Sequence, residues 1–212
     1  HACLAELDIN PLLADASGAI ALDARIVLNA STPRATLAIA PCPHELRRRL
    51  LLVDGQDLEI RPLTPSDALS LQVMGQRTDA ADLRLRFHGA VRTDDALGAA
   101  RLCQLDYDRE MAFAAILPDG AFGGVARVMF DPEIETAEFA ILVRSDQHRR
   151  GIGAALMDDI LNYAKARGAK SVYGDILPEN VSMLAFAKAL GARLTPAKQN
   201  ATRAEFTMNP PR

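Results

Sequence analysis

Val143-Arg144-Ser145-Asp146-Gln147-His148-Arg149-Arg150-Gly151-Ile152-Gly153-Ala154 joins two segments of different period. Before it, Phe139, Ile141 and Val143 alternate with Glu138, Ala140 and Leu142, the two faces of a strand. After it, Ile152, Leu156, Ile160 and Ala164 recur at i+4 steps along one face of a helix from Gly151 to Arg167. Lys165, Arg167 and Gly168 are the cations and glycine expected at that helix's C-terminus. The junction thus places two glycines and two arginines where a strand hands over to a helix. A helix N-terminus leaves N–H groups unpaired and carries a partial positive charge, so it binds phosphate. Gly151 and Gly153 let the backbone approach a ligand, and Arg149 and Arg150 neutralise a pyrophosphate. A tight strand-to-helix turn also needs glycine for itself, so these residues alone leave both readings open.

Downstream, Ser171 to Ile176 reads as a strand, Asn180 caps a helix that stops at Gly191, and Glu205 to Met208 offers a last strand. Upstream, Met111 to Leu117, Gly123 to Phe130 and Ala137 to Val143 suit an antiparallel meander with turns at Pro118-Asp119-Gly120 and Asp131-Pro132-Glu133. Leu58 to Leu63 opens this unit as a strand, Thr64 to Asp67 starts a helix, and two or three short helices follow to about Leu105. Residues 1–30 read as two apolar strands around a turn at Asp15 to Gly18, too few to build a core of their own. Residues 31–57, with Pro33, Pro41, Pro43 and a short helical run from Glu45, read as a linker. The expected fold of residues 58–212 is α+β or α/β: a mixed, mostly antiparallel sheet flanked by helices, with an N-terminal β-hairpin appendage.

The 212 residues are 49% hydrophobic and 24% charged, which describes a chain that forms a core. A net charge of −3 gives no overall field favouring nucleic acid or an anionic membrane. Cys3, Cys42 and Cys103 have no metal-type spacing, so no metal is expected and a reducing cytoplasm fits best. His44, His88 and His148 show no metal spacing either, and no apolar stretch reaches the length of a membrane span. The chain opens on His1 and not Met, and is read as a piece of a longer protein.

With Arg149-Arg150-Gly151-Ile152-Gly153-Ala154 after the strand and Asn180, Phe186, Leu190 and Gly191 in the later helix, the chain resembles the GNAT acetyltransferase superfamily. Its acetyl-CoA signature is Arg/Gln-x-x-Gly-x-Gly/Ala; the leading position falls here on His148, a departure the neighbouring amides can absorb. The resemblance implies acetyl-CoA as co-substrate, held by Ile141, Leu142, Val143, His148, Arg149, Arg150, Gly151, Ile152, Gly153, Ala154, Asn180 and Phe186. Residues 102–112 and 137–146 look like the bacterial protein lysine acetyltransferases whose GNAT domain is fused behind an acyl-CoA synthetase-like region. Residues 6–12 and 21–25 look like the end of the ATP-grasp part of that region. The partner implied is a protein carrying the target lysine, with the synthetase-like region upstream in the full-length protein.

Glu138 lies roughly 16 Å from Val143 at about 3.3 Å per residue, comparable with a pantetheine arm. The resemblance makes Glu138 the general base. Deprotonating a lysine of pKa near 10.4 at neutral pH costs on the order of 4 to 5 kcal/mol, so a base is useful, and desolvation on an apolar strand is expected to tune it. The other reading of Glu138 is an edge-strand glutamate facing water. Phe186 stands where many family members carry a tyrosine acid, which leaves the departing thiol without a dedicated proton donor. Cys103 reads as a buried apolar cysteine. Three functions remain in view: a protein lysine acetyltransferase, a small-molecule amine acetyltransferase, and a CoA-sensing module without catalysis.

Overall fold

A computed structural model describes residues 4–28, 40–52, 54–87 and 95–208, and the chain divides into two compact units, His1–Pro41 and Cys42–Arg212. In the first, β1 (Leu4–Ile9) pairs with β4 (Ala24–Leu28) and β2 (Leu12–Asp15) with β3 (Gly18–Ala21), both antiparallel, which makes one interrupted hairpin. Asp15 closes its tip, its carboxylate accepting from the Ser17 and Gly18 N–H groups at 2.7 and 3.1 Å. Leu7, Leu12, Leu13, Ile20 and Ile26 are all exposed, because two ribbons of this length have no second layer to cover them.

The second unit is built on one eight-stranded sheet. Its strands are β5 (Arg48–Leu51), β6 (Asp57–Pro62), β7 (Glu110–Ile116), β8 (Phe122–Phe130), β9 (Thr136–Val143), β10 (Ser171–Ile176), β11 (Arg193–Pro196) and β12 (Thr202–Thr207). They lie in the order β11-β12-β10-β9-β8-β7-β6-β5, antiparallel throughout except where β10 runs parallel to β9. The mixed, mostly antiparallel sheet matches the sequence expectation. Within the stretch 31–57, the described residues from 40 onward do more than link, however. Leu46 and Leu50 pack on the core, and Arg48 reaches Asp159 with two hydrogen bonds of 2.7 and 3.0 Å, so this proline-flanked stretch supplies the edge strand β5.

Helices cover both faces. The strand period sends Met111, Phe113 and Ala115 of β7 into one core with α4 (Ile152–Arg167) and α5 (Val181–Ala189). Ala112 and Ala114 of the same strand enter the other core with α1 (Ala68–Gln76) and α3 (Ala96–Cys103). A central strand buried on both faces must be apolar throughout, which is how Met111 to Ile116 reads. Between α1 and α3 in the chain comes α2 (Ala80–Phe87), packed on β9. The α4 stripe Ile152, Leu156, Ile160 and Ala164 is buried, and Gly168 ends the helix at φ 93°. Before α1, Asp67 caps the turn from Thr64 and also takes a two-pronged ion pair from Arg61, both contacts 2.7 Å.

Candidate active site

The site begins with two strands that part company. β10 pairs with β9 only at Thr136, Ala137 and Glu138, although both strands run on, to Ile176 and Val143. On the other side β9 is paired with β8 along nearly its whole length. The Asp131 N–H donates to the Thr136 carbonyl and the Arg144 N–H to the Gly123 carbonyl, so even-numbered residues of β9 bond toward β8. By the alternation of an antiparallel ladder, odd-numbered residues aim their backbone groups the other way. Past Glu138, Ile141 and Val143 therefore turn N–H and C=O groups toward a gap that no strand fills.

That gap is a cleft of about 910 Å³. Glu138 to Val143 form one wall, and Gly174 to Ile176 with Asn180, Met183 and Phe186 form the other. The base is the start of α4, where Arg149 at φ 61° and Gly151 at φ 93° both take left-handed backbone conformations. That conformation explains the glycine at 151, while a non-glycine residue there carries a strain on the order of 1 kcal/mol. Gly153 has a different explanation. A side-chain carbon there would sit 3.5 Å from Phe186 and 3.7 Å from Val143, ordinary contact, so protein packing does not demand glycine and the bare backbone faces the cleft. An open helix start, unpaired strand amides and an elongated cleft together accommodate a phosphate-bearing ligand with a linear arm.

Residues 77–192, more than half of the chain, match the Acetyltransferase (GNAT) family. This chain belongs to that family. An acetyltransferase of Pseudomonas aeruginosa is 28% identical over 143 residues, 66% of this chain and 77% of that one. The GNAT domain of S. lividans PAT shares the fold at a TM-score of 0.73 and 24% identity, over 79% of this chain and 99% of that one. The PaiA N-acetyltransferase of Thermoplasma acidophilum, solved in complex with coenzyme A, gives a TM-score of 0.58 at 13% identity, over 71% and 98%. The chain is thus an acetyltransferase of GNAT type, a family that uses acetyl-CoA.

Within the GNAT cleft the residues named from sequence divide. Glu138, Ile141, Leu142, Val143, His148, Arg149, Gly151, Gly153, Ala154, Asn180 and Phe186 all line it. Arg150 does not. Its guanidinium donates to Asp54 at 2.5 and 2.9 Å, to Gln56 at 2.6 Å and to the Gln147 side chain, and so fastens the loop before β6. The Asp54 carboxyl is in turn held below its ordinary pKa, chiefly by that arginine. Ile152 also departs from expectation, because its side chain is core, 1% exposed, and only its backbone is left for a ligand. The Asn180 Oδ1 caps α5 by accepting from the Met183 N–H at 3.1 Å, which leaves its NH₂ group for the cleft.

Glu138 differs from expectation in a way that matters. Its carboxylate is exposed and not desolvated, since Ala140 is too small to shield it and its cross-strand neighbour Met129 is itself 37% exposed. Cys103 is buried, its thiol pushed up to about 11 first by burial, which removes it as a nucleophile at neutral pH. Among the described residues no cluster of His, Cys, Asp and Glu could hold a metal, and no helix is long and apolar enough to cross a membrane.

One wall was not legible in the sequence. Asp82 of α2 accepts from the Ser145 Oγ at 2.6 Å, the Asp79 N–H donates to that Oγ at 2.9 Å, and His148 stands 3.8 Å from Asp82. These contacts bring α2, with Asp82, Leu85, Arg86 and Phe87, against the end of the cleft at the start of α4 and along β9. The partners are separated by more than 60 residues, so no local pattern announces them.

Proposed function

We propose that this domain binds acetyl-CoA along β9, with the diphosphate over the amino end of α4, and transfers the acetyl group to a lysine amine of a protein. The observation that carries the reading is the β9 edge. Past its last pairing with β10 at Glu138, the strand has no strand partner on the cleft side through Val143, and the run from Glu138 to the helix start spans roughly 16 Å, about the length of a pantetheine arm. The backbone groups of Ile141 and the Val143 N–H bond the arm, the Val143 carbonyl being met by the His148 Nε2 at 3.0 Å. Arg149 and the first amides of α4 hold the phosphates, and a backbone N–H of this segment steadies the carbonyl oxygen as charge develops on it. Glu138 accepts the proton of the incoming ammonium. Its exposure leaves room for a bulky acceptor, and docking of that acceptor strips water from the carboxylate at the moment a base is required. Phe186 packs against the helix start and supplies no proton, so the departing thiolate is protonated from solvent.

The protein acceptor rests on residues 102–112 and 137–146, which resemble fused protein lysine acetyltransferases; an acyl-CoA synthetase is the first acceptor to try. On the same ground the N-terminal hairpin belongs to a synthetase-like region, and the free Cys42 and Cys103 fit a reducing cytoplasm. Incubation with acetyl-CoA and purified acyl-CoA synthetases, read by mass spectrometry, is expected to show acetyl-lysine at a few positions. Acetylation of free small amines alone would overturn the protein acceptor, and absence of any heat of binding with acetyl-CoA would overturn the whole reading.

A further inference from the structure

Of the charged side chains lining the cleft that the proposed chemistry leaves unused, Asp82 is taken by Ser145 and Asp175 by Arg203, which leaves Arg86. It projects from α2 into the cleft and also borders a small adjoining cavity of about 30 Å³ against Ala140 and Leu142. Among the described residues it has no hydrogen-bond or ion-pair partner; its guanidinium lies 4.6 Å from the ring of its neighbour Phe87. The other arginine nearby, Arg127, already has its anion, donating to Glu110 at 2.6 Å and also to the Leu102 carbonyl. Burial first, then repulsion from Arg127, pushes Arg86 down to about 10, with Glu138 acting in the opposite direction. It remains a cation at neutral pH. A half-buried cation with a ring beside it but no anion or hydrogen-bond acceptor is costly, and a ligand that supplies the anion removes that cost.

The helix that carries it is tied to the β9 side of the cleft, and an exposed ion pair reaches the other wall. Ser145 and Asp79 tie α2 to the β9 side, and Arg84 reaches Glu179, before α5 on the opposite wall, at 3.2 Å. Arg86 and Glu138 line the same cleft, near enough for the carboxylate to act on the guanidinium but not bonded to it. A carboxylate that takes an ammonium and a guanidinium that takes an anion, on the same side of β9, are complementary to a reactant carrying both charges.

We propose that Arg86 is a carboxylate-binding residue that sets substrate choice: a carboxylate on a reactant, close to the reacting centre, forms a two-pronged pair with it. The pairing with Glu138 favours the amine acceptor as its source, either an α-carboxylate or an acidic residue beside the target lysine. This inference rests on acetyl transfer in this cleft with the amine delivered to Glu138. An acyl group ending in a carboxylate offers the same chemistry from the thioester side.

The test has two arms. In the first, acetylation rates are compared within pairs that differ by a carboxylate, cadaverine against lysine and blocked Ala-Lys-Ala against blocked Asp-Lys-Ala. In the second, calorimetry compares acetyl-CoA with succinyl-CoA. The wild type is expected to favour the carboxylate-bearing member of one arm by about tenfold, and Arg86→Met to bring that preference near unity. A preference in the first arm places the carboxylate on the acceptor; one in the second places it on the acyl group. No preference in either arm, or a preference that persists in Arg86→Met, overturns the proposal. The wild-type comparison needs no variant, and Arg86→Gln serves should the methionine form not fold. Failure of the wild type to bind acetyl-CoA at all is a separate result, and sinks the acetyl-transfer reading.

Discussion

At the scale of single residues, Glu138 gives the sharpest expectation. Glu138→Gln should lower turnover by about 10² to 10⁴ while the acetyl-CoA dissociation constant, read by calorimetry, stays within about twofold. Unchanged turnover across the pH range would remove Glu138 as the base. The residue itself could be picked out from sequence as a carboxylate on an apolar strand, but its exposure could not, because cover depends on what crosses above the strand. Asp67 poses a question of stability. Desolvation pushes its carboxyl up, but the Arg61 guanidinium and the Thr64 N–H and hydroxyl outweigh that and hold it below the ordinary value. A depressed folded pKa means the stabilisation is complete above the unfolded value and lost as pH falls through the folded one. Asp67→Ala, which leaves Arg61 unpaired at 19% exposure, should cost about 3 kcal/mol in urea unfolding at pH 7. The gap between wild type and Asp67→Asn should close on acidification below about pH 4.

At the scale of elements, two glycines mark different constraints. Gly174 on β10 has no room for a side chain, since a carbon there would lie 2.7 Å from the Phe139 ring, which is itself packed edge-on at 5.8 Å against Phe206. Gly174→Ala should therefore cost about 1–3 kcal/mol in thermal unfolding as Phe139 is displaced beside the cleft. Gly151 is set by its backbone. Gly151→Val forces a β-branched residue into a left-handed turn, and the acetyl-CoA dissociation constant should rise by about tenfold or more. Normal binding by that variant would dissociate the phosphate site from the start of α4. Element periods were plain in the sequence: the α4 stripe and the apolar run of β7 report burial directly, because each residue's face follows from its neighbours. The hairpin's break into four strands was not, since no period changes at Asn10 or Leu22.

At the scale of the whole molecule, β5 ties the far edge of the sheet to α4 through Arg48 and Asp159, partners 111 residues apart. A chain starting at Leu58 should be less stable by about 2–4 kcal/mol than one starting at Cys42, measured by urea unfolding, because it loses Leu46, Leu50 and that ion pair. Equal stability would show that residues 42–57 only decorate the sheet.

What neighbouring residues could declare on their own was the strand-to-helix junction, the caps at Asn180 and Gly168, and the family these spell out, since period, capping and turn chemistry act over a few residues. Folding in three dimensions alone decided that β10 leaves β9 after Glu138 and opens the cleft, that α2 closes its side with Arg86, and that Arg150 turns away to Asp54. Those outcomes depend on which distant surfaces meet and which charges find partners there. A string of residues does not carry that information position by position.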